Sequence, residues 1–157
     1  MVGGDEHVFL QAESIFKALG RPVLVGPAGC GELAKLVNQM IVASTIAIVS
    51  EGLIMAQQSG ADPHKVKEAL TGGFADSPIL KQHGERMLNN TFEPGGTAIN
   101  QLKDTSTAIA HIQTLGLNLP VSQLVNQLFE SMVKNGDGDL DHSGLIRELK
   151  RINNLAI

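Results

Sequence analysis

The feature that most constrains this chain is one long stretch without a helix breaker. Residues 31–59 contain no proline, and the only glycine past the start is Gly52. At 1.5 Å per residue such a helix would be on the order of 40 Å long, more than most helices of small domains. The glycine-rich turn GPAGCG at 26–31 leads into it, and Gly60 followed by Asp62 and Pro63 stops it. Its middle, 40–49, is apolar or small on every side, the pattern of a helix buried all round. Asn38, Gln39 and Glu51 bracket that run. This leaves it short of the ~18 apolar residues of a membrane span.

The flanking segments follow from local signals. Residues 1–4 read as the end of a strand. Asp5 can cap a helix whose Val8, Phe9, Ala12, Ile15, Phe16 and Leu19 keep the helical period until Gly20, and 22–25 reads as a short strand. Asp62-Pro63 and Ser77-Pro78 each predict a helix start with proline at the first position. Residues 90–97 are expected to form a loop. A helix over 98–115 is expected to point Ile99, Leu102, Ile109 and Ile112 inward, and another over 120–133 Leu124, Val125, Leu128 and Met132. A glycine- and aspartate-rich loop at 135–139 then precedes a last helix over 143–153.

The formal charge of -4 over 157 residues, with no basic run, argues against nucleic acid as a partner. A single cysteine, Cys30, excludes an internal disulfide and fits a reducing compartment. The expectation is a soluble, cytoplasmic protein with no membrane partner.

Several patterns invite chemical readings. The run from Gly29 to Ala34 fits the dinucleotide fingerprint G-x-G-x-x-A, but no second strand ending in an acid follows, so the full cofactor fold is not expected from it. Backbone N–H groups at that helix start still suit a substrate carboxylate. Asp137, Asp139, Asp141 and Glu148 take positions 1, 3, 5 and 12 of a calcium loop, but His142 stands where glycine is needed, and Asp141 or Ser143 reads more simply as a helix cap. The five histidines show no metal spacing, so no metal site is expected and each reads as a surface or packing residue. Lys35 with Asn38 and Gln39 at i+3 and i+4 puts three polar groups on one helix face. Spacing alone leaves Lys35 a surface lysine. Partly desolvated beside amides, it would instead be suited to moving a proton. Lys103-Asp104 would by itself be a solvated pair.

Together, Gly26, Gly29, Gly31, Lys35 and Asn38 spell G-x-x-G-x-G-x-x-x-K-x-x-N, and this resembles the β-hydroxyacid dehydrogenase family. The later stretches GGFADSPILKQHGERMLNNTFEPGG, QLKD, LNLP and GDGDLDHSGLI are similar to a semialdehyde-reducing branch of it. The resemblance implies an NAD(P)-dependent oxidoreductase in which Lys35 is catalytic, exchanging a proton with the substrate oxygen. Asn38, Gln39 and Gly31 would bind substrate, and Lys103 and Asp104 would lie near an NAD or NADP cofactor. Gly96 stands where the family often has phenylalanine, which removes one contact near the cofactor. The implied fold is all-α: a helical C-terminal domain of the 6-phosphogluconate dehydrogenase C-terminal-like type over 29–157. Residues 1–28 would be the tail of a preceding Rossmann domain that holds most of the cofactor site. On that view the isolated chain would not turn over, and the apolar helix would be covered partly by a second subunit in a homodimer. The rival expectation is a non-catalytic helical dimerisation module.

Overall fold

The computed structural model describes all residues, 1–157, and divides into two compact units, Met1–Gln39 and Met40–Ile157. In the first, β1 (Val2–Gly3) and β2 (Leu24–Gly26) pair in parallel, joined by helix α1 (Glu6–Leu19). This pair means that the chain as a whole is not all-α. Asp5 caps α1 by accepting the Val8 N–H at 3.1 Å, and Phe9 stacks on Phe16 along the same helix, with ring centroids 5.9 Å from each other. None of the apolar positions of α1 is fully buried, because the two short strands offer little surface to cover them.

The glycine turn matters for close packing. A Cβ on Gly3 would come within 2.6 Å of the Gly31 nitrogen and 2.7 Å of the Pro27 carbonyl, so strand and turn meet backbone to backbone. Gly26 and Gly29 adopt positive φ, +148° and +91°, which reverses the chain into the next helix.

That helix, α2, runs Cys30–Gln58, within a residue of the expected bounds, and its N-terminal part belongs to the first unit. Contrary to the expectation that it falls short, by length and composition it passes as a membrane span. Its Ala43, Ile46, Ala47 and Leu53 instead belong to a packed protein core. Within the single chain the helix is not buried all round, since Ile41 and Ile48 are each 62% exposed and Met55 is 69% exposed. These three recur every seven residues, a single row along one side of the helix.

In the second unit α3 (Pro63–Leu70) and α4 (Pro78–Asn89) start as expected, with Asp62 and Ser77 accepting backbone N–H groups at their N-termini. Helices α5 (Ala98–Thr114) and α6 (Pro120–Met132) follow, then a wide π turn (Val133–Asp137), a 3-10 turn (His142–Gly144) and α7 (Leu145–Ile152). The core joins the α2 residues to Met87, Phe92, Ala98, Val125, Phe129, Met132, Leu145 and Ile146. Two inward faces differ from the expected ones. On α5 the buried residues are Ala98, Gln101, Thr105, Ala108 and Ile112, while Ile99 is exposed. On α6 they are Val125, Phe129 and Met132, with Leu124 outside. The α5 face is set by polar pairing, since Thr105 and Ser106 both donate to Asn126 Oδ1 of α6, at 2.7 and 3.0 Å.

Candidate functional site

Of the residues singled out in the sequence, Lys35, Asn38, Gln39 and Gly31 lie together in the first unit, at the N-terminal part of α2. Helical spacing puts Lys35, Asn38 and Gln39 on one face, and Asn38 Nδ2 donates to Gln39 Oε1 at 2.9 Å, so the two amides are held as a pair. Lys35 is exposed, so the folding of this unit does not itself desolvate it. Gly31 serves close packing, because a Cβ there would lie 3.0 Å from the Gly3 nitrogen. Lys103 and Asp104 lie in the second unit, on α5, with Nζ and Oδ1 3.5 Å apart and Lys103 largely in solvent. In the glycine turn, Gly3 and Gly31 meet backbone to backbone while the space beside Gly29 is open. On α5, Lys103 is an exposed cation, a charge that fits an anionic cofactor only as a surface contact.

The second unit also assembles two polar clusters that the sequence did not disclose. Asp141 is fully buried, and its oxygens are saturated. Oδ1 accepts the Ser143 N–H at 3.0 Å and the Ser143 hydroxyl at 2.6 Å. Oδ2 accepts Gly95 N–H at 2.9 Å, Gly96 N–H at 3.3 Å and an Arg86 N–H at 2.7 Å. Burial alone would push this carboxyl up, but His83, Ser143 and the Gly95 amide hold it well below the usual carboxylate range. The capping role expected of Asp141 is therefore present, and it also ties the 92–97 loop to the start of α7.

Beside it, His83 of α4 and His142 of the 3-10 turn meet edge to face, with Nε2 atoms 3.3 Å apart and ring centroids 4.6 Å apart. His142 Nδ1 faces Gln101 Oε1 at 3.1 Å, and His83 Nδ1 faces Asp141 Oδ1 at 3.5 Å. Burial lowers the His142 pKa to about 4; Asp141 opposes that shift, while His83 and Arg86 add to it. His142 is therefore neutral at pH 7. The two histidines are 59 residues apart, and no spacing rule links them.

The other cluster gathers Asp137 and Glu148, two more of the calcium-like positions. Asp137 accepts from Arg147 Nε at 3.0 Å and from Arg151. Buried Glu148 accepts from Ser131 Oγ at 2.6 Å, Asn135 Nδ2 at 3.0 Å and Arg151 Nη1 at 2.9 Å. These carboxylates are thus spent on arginines and on the end of α6, and they do not converge on a common centre.

The family model described as "NAD-binding of NADP-dependent 3-hydroxyisobutyrate dehydrogenase" matches residues 29–149. This overturns the fold assignment made from the sequence, a helical C-terminal domain over 29–157 with the cofactor-binding part ahead of it. The segment described as NAD-binding lies within this chain, and in the structure it is built of helices. Among curated proteins, the chain is 45% identical over 155 residues to the 2-hydroxy-3-oxopropionate reductase of Escherichia coli, covering 98% of this chain and 53% of that protein. It is 36% identical to a probable 3-hydroxyisobutyrate dehydrogenase-like protein of Arabidopsis thaliana, covering 99% and 46%. In fold it matches the Mycobacterium tuberculosis 3-hydroxyisobutyrate dehydrogenase solved with L-serine, with a TM-score of 0.86 at 24% identity over 96% of this chain and 54% of that one. The chain spans about half the length of the curated relatives it matches.

Proposed function

The chain belongs to the NAD-binding family of NADP-dependent 3-hydroxyisobutyrate dehydrogenases, and from that premise we propose that it serves an NAD(P)-dependent oxidoreductase acting on small hydroxyacids. The substrate pair we favour is tartronate semialdehyde (2-hydroxy-3-oxopropionate) and glycerate, supported by the 45% identity to a reductase named for that compound. The observation that carries the reading is the polar face on α2, where Lys35 stands one turn before a hydrogen-bonded amide pair.

A nicotinamide cofactor supplies the hydride in such a reaction. The part left to this chain is the proton and the charge. The Lys35 ammonium donates a proton to the aldehyde oxygen as it becomes an alkoxide, and accepts it back in the oxidative direction. Asn38 and Gln39, held to each other, offer a fixed set of amide donors and acceptors to the substrate oxygens. Lys103, with Asp104 beside it, offers its charge to the anionic cofactor from α5.

The test is turnover of the full-length gene product with tartronate semialdehyde, followed as loss of NAD(P)H absorbance. Lys35→Ala is expected to lower kcat by roughly 10²–10⁴-fold with cofactor binding retained. Near-normal turnover would remove Lys35 from the mechanism.

A second reading, compatible with the first, rests on the exposed row Ile41, Ile48 and Met55. An apolar stripe at seven-residue spacing suits a copy of the same helix across a two-fold axis, giving a homodimer. Light scattering distinguishes the states: Ile48→Asp should convert dimer to monomer, and a monomeric parent protein would end this reading.

A further inference from the structure

We propose that His83 and His142 form a chelating pair for one divalent transition-metal ion of the zinc or nickel class, held within the second unit and independent of the proton chemistry assigned to Lys35. The argument begins with tautomers. His142 Nδ1 lies 3.1 Å from Gln101 Oε1, an acceptor on a side chain only 2% exposed. His83 Nδ1 is buried without a hydrogen bond, and the Asp141 carboxylate stands 3.5 Å from it. The Gln101 oxygen places the proton of His142 on Nδ1 and leaves a lone pair on its Nε2, which accepts from His83 Nε2. The two Nε2 atoms thus face one another at 3.3 Å across a single shared proton.

An ion replacing that proton would bind both nitrogens and move the His83 proton to Nδ1, beside the Asp141 carboxylate. The spacing is that of two ligands on one metal, since nitrogens each ~2.0–2.1 Å from a tetrahedral zinc are about 3.3–3.4 Å apart. The surroundings supply the outer support such sites use, a carboxylate behind one imidazole and an amide oxygen behind the other. Asp141 itself is not a ligand, because both its oxygens are already engaged by Ser143, Gly95, Gly96 and Arg86. Its charge balances that of Arg86, so the pocket carries no net positive charge to oppose the ion.

Gly96 keeps the pair open. A Cβ at that position would lie 3.6 Å from His142 Cε1 and 3.9 Å from its Nε2, so a larger side chain would cover the ring that glycine leaves bare. The remaining coordination positions are taken by water. The two ligands come from α4 and from the turn before α7, so the ion would staple together two segments far apart in sequence.

The experiment is titration of the chelator-stripped chain with zinc chloride near neutral pH by calorimetry. Saturable one-to-one binding is expected, weakened roughly tenfold or more in His83→Gln and in His142→Gln, and unchanged in His64→Gln, whose imidazole is exposed. In the unaltered chain, zinc should shift the imidazole NMR signals of His83 and His142 and leave those of His7, His64 and His111 in place, a readout that does not depend on any variant folding. Absence of saturable binding, or zinc shifts confined to the other three histidines, overturns the proposal.

Discussion

Replacing Arg151 by methionine removes the cation that bridges two carboxylates while keeping most of the side chain's length. In the folded chain Arg151 donates to Asp137 and, at 2.9 Å, to Glu148, which is only 2% exposed. Removing one partner of a buried pair costs about 3–5 kcal/mol, because the remaining charge is left in a poor solvent. Here the lower end applies. Arg151 is 23% exposed, Arg147 still holds Asp137, and Ser131 and Asn135 still donate to Glu148. The expected loss is about 3 kcal/mol. In urea that lowers the unfolding midpoint by roughly 1–3 M, taking a slope of about 1–3 kcal/mol per M.

The pH dependence provides a second check on the same variant. For both carboxyls burial opposes ionisation, but hydrogen bonds from the arginines, Ser131 and Asn135 prevail and hold them below their ordinary values of 3.8 and 4.5. Between the folded and unfolded values the unfolded chain binds more protons, so stability rises with pH. The stabilisation is complete above the unfolded values and is lost as pH falls through the folded ones. Arg151→Met should therefore flatten the acid limb of the stability curve as well as lower its plateau. A midpoint within about 0.3 M of the parent's, or an acid limb of unchanged slope, would refute the assignment of Arg151 as the shared counter-ion.

Two further outcomes test the packing. Phe129→Ala empties the centre of the second unit, where Phe129 is fully buried, and should cost about 3–5 kcal/mol by chemical denaturation. Gly3→Ala should loosen the first unit, since the new Cβ would meet Gly31 N at 2.6 Å and Pro27 O at 2.7 Å. Faster amide exchange confined to residues 1–39 is the expected signature, and unchanged exchange there would contradict the backbone contact.

Local punctuation in the sequence is enough to place most of the helices. Asp5, Asp62 and Ser77 announce their helices through hydrogen bonds that span only two or three residues, so each is readable where it stands. The Lys35, Asn38 and Gln39 face is readable for the same reason. What escapes such reading depends on partners distant in sequence. Ile99 has the spacing of a core residue, but Thr105 meets Asn126 and turns α5 another way. Ile41, Ile48 and Met55 resemble buried residues because hydropathy alone does not say how many neighbours a long helix has. His83 and His142 are brought together by the packing of α4 against the turn before α7. The calcium-like spacing at 137–148 counts acids but says nothing of Arg86, Arg147 and Arg151, whose side chains engage Asp141, Asp137 and Glu148. That the segment from residue 29 onward is the one described as NAD-binding comes from the family match rather than from any residue pattern.

The wide turn after α6 bears on how this chain tolerates changes of length. Between Met132 and Asp137 the backbone opens into a π turn, with Gly136 at φ +90°, and delivers the Asp137 carboxylate to Arg147 and Arg151. In a regular helix each residue advances the chain by about 100° around the axis. One residue fewer in this turn would therefore swing Asp137 off its two arginines, even though every side chain that forms the cluster was still encoded. At this point the spacing of the sequence is under as much constraint as its letters, and a single-codon deletion would do more damage than most substitutions.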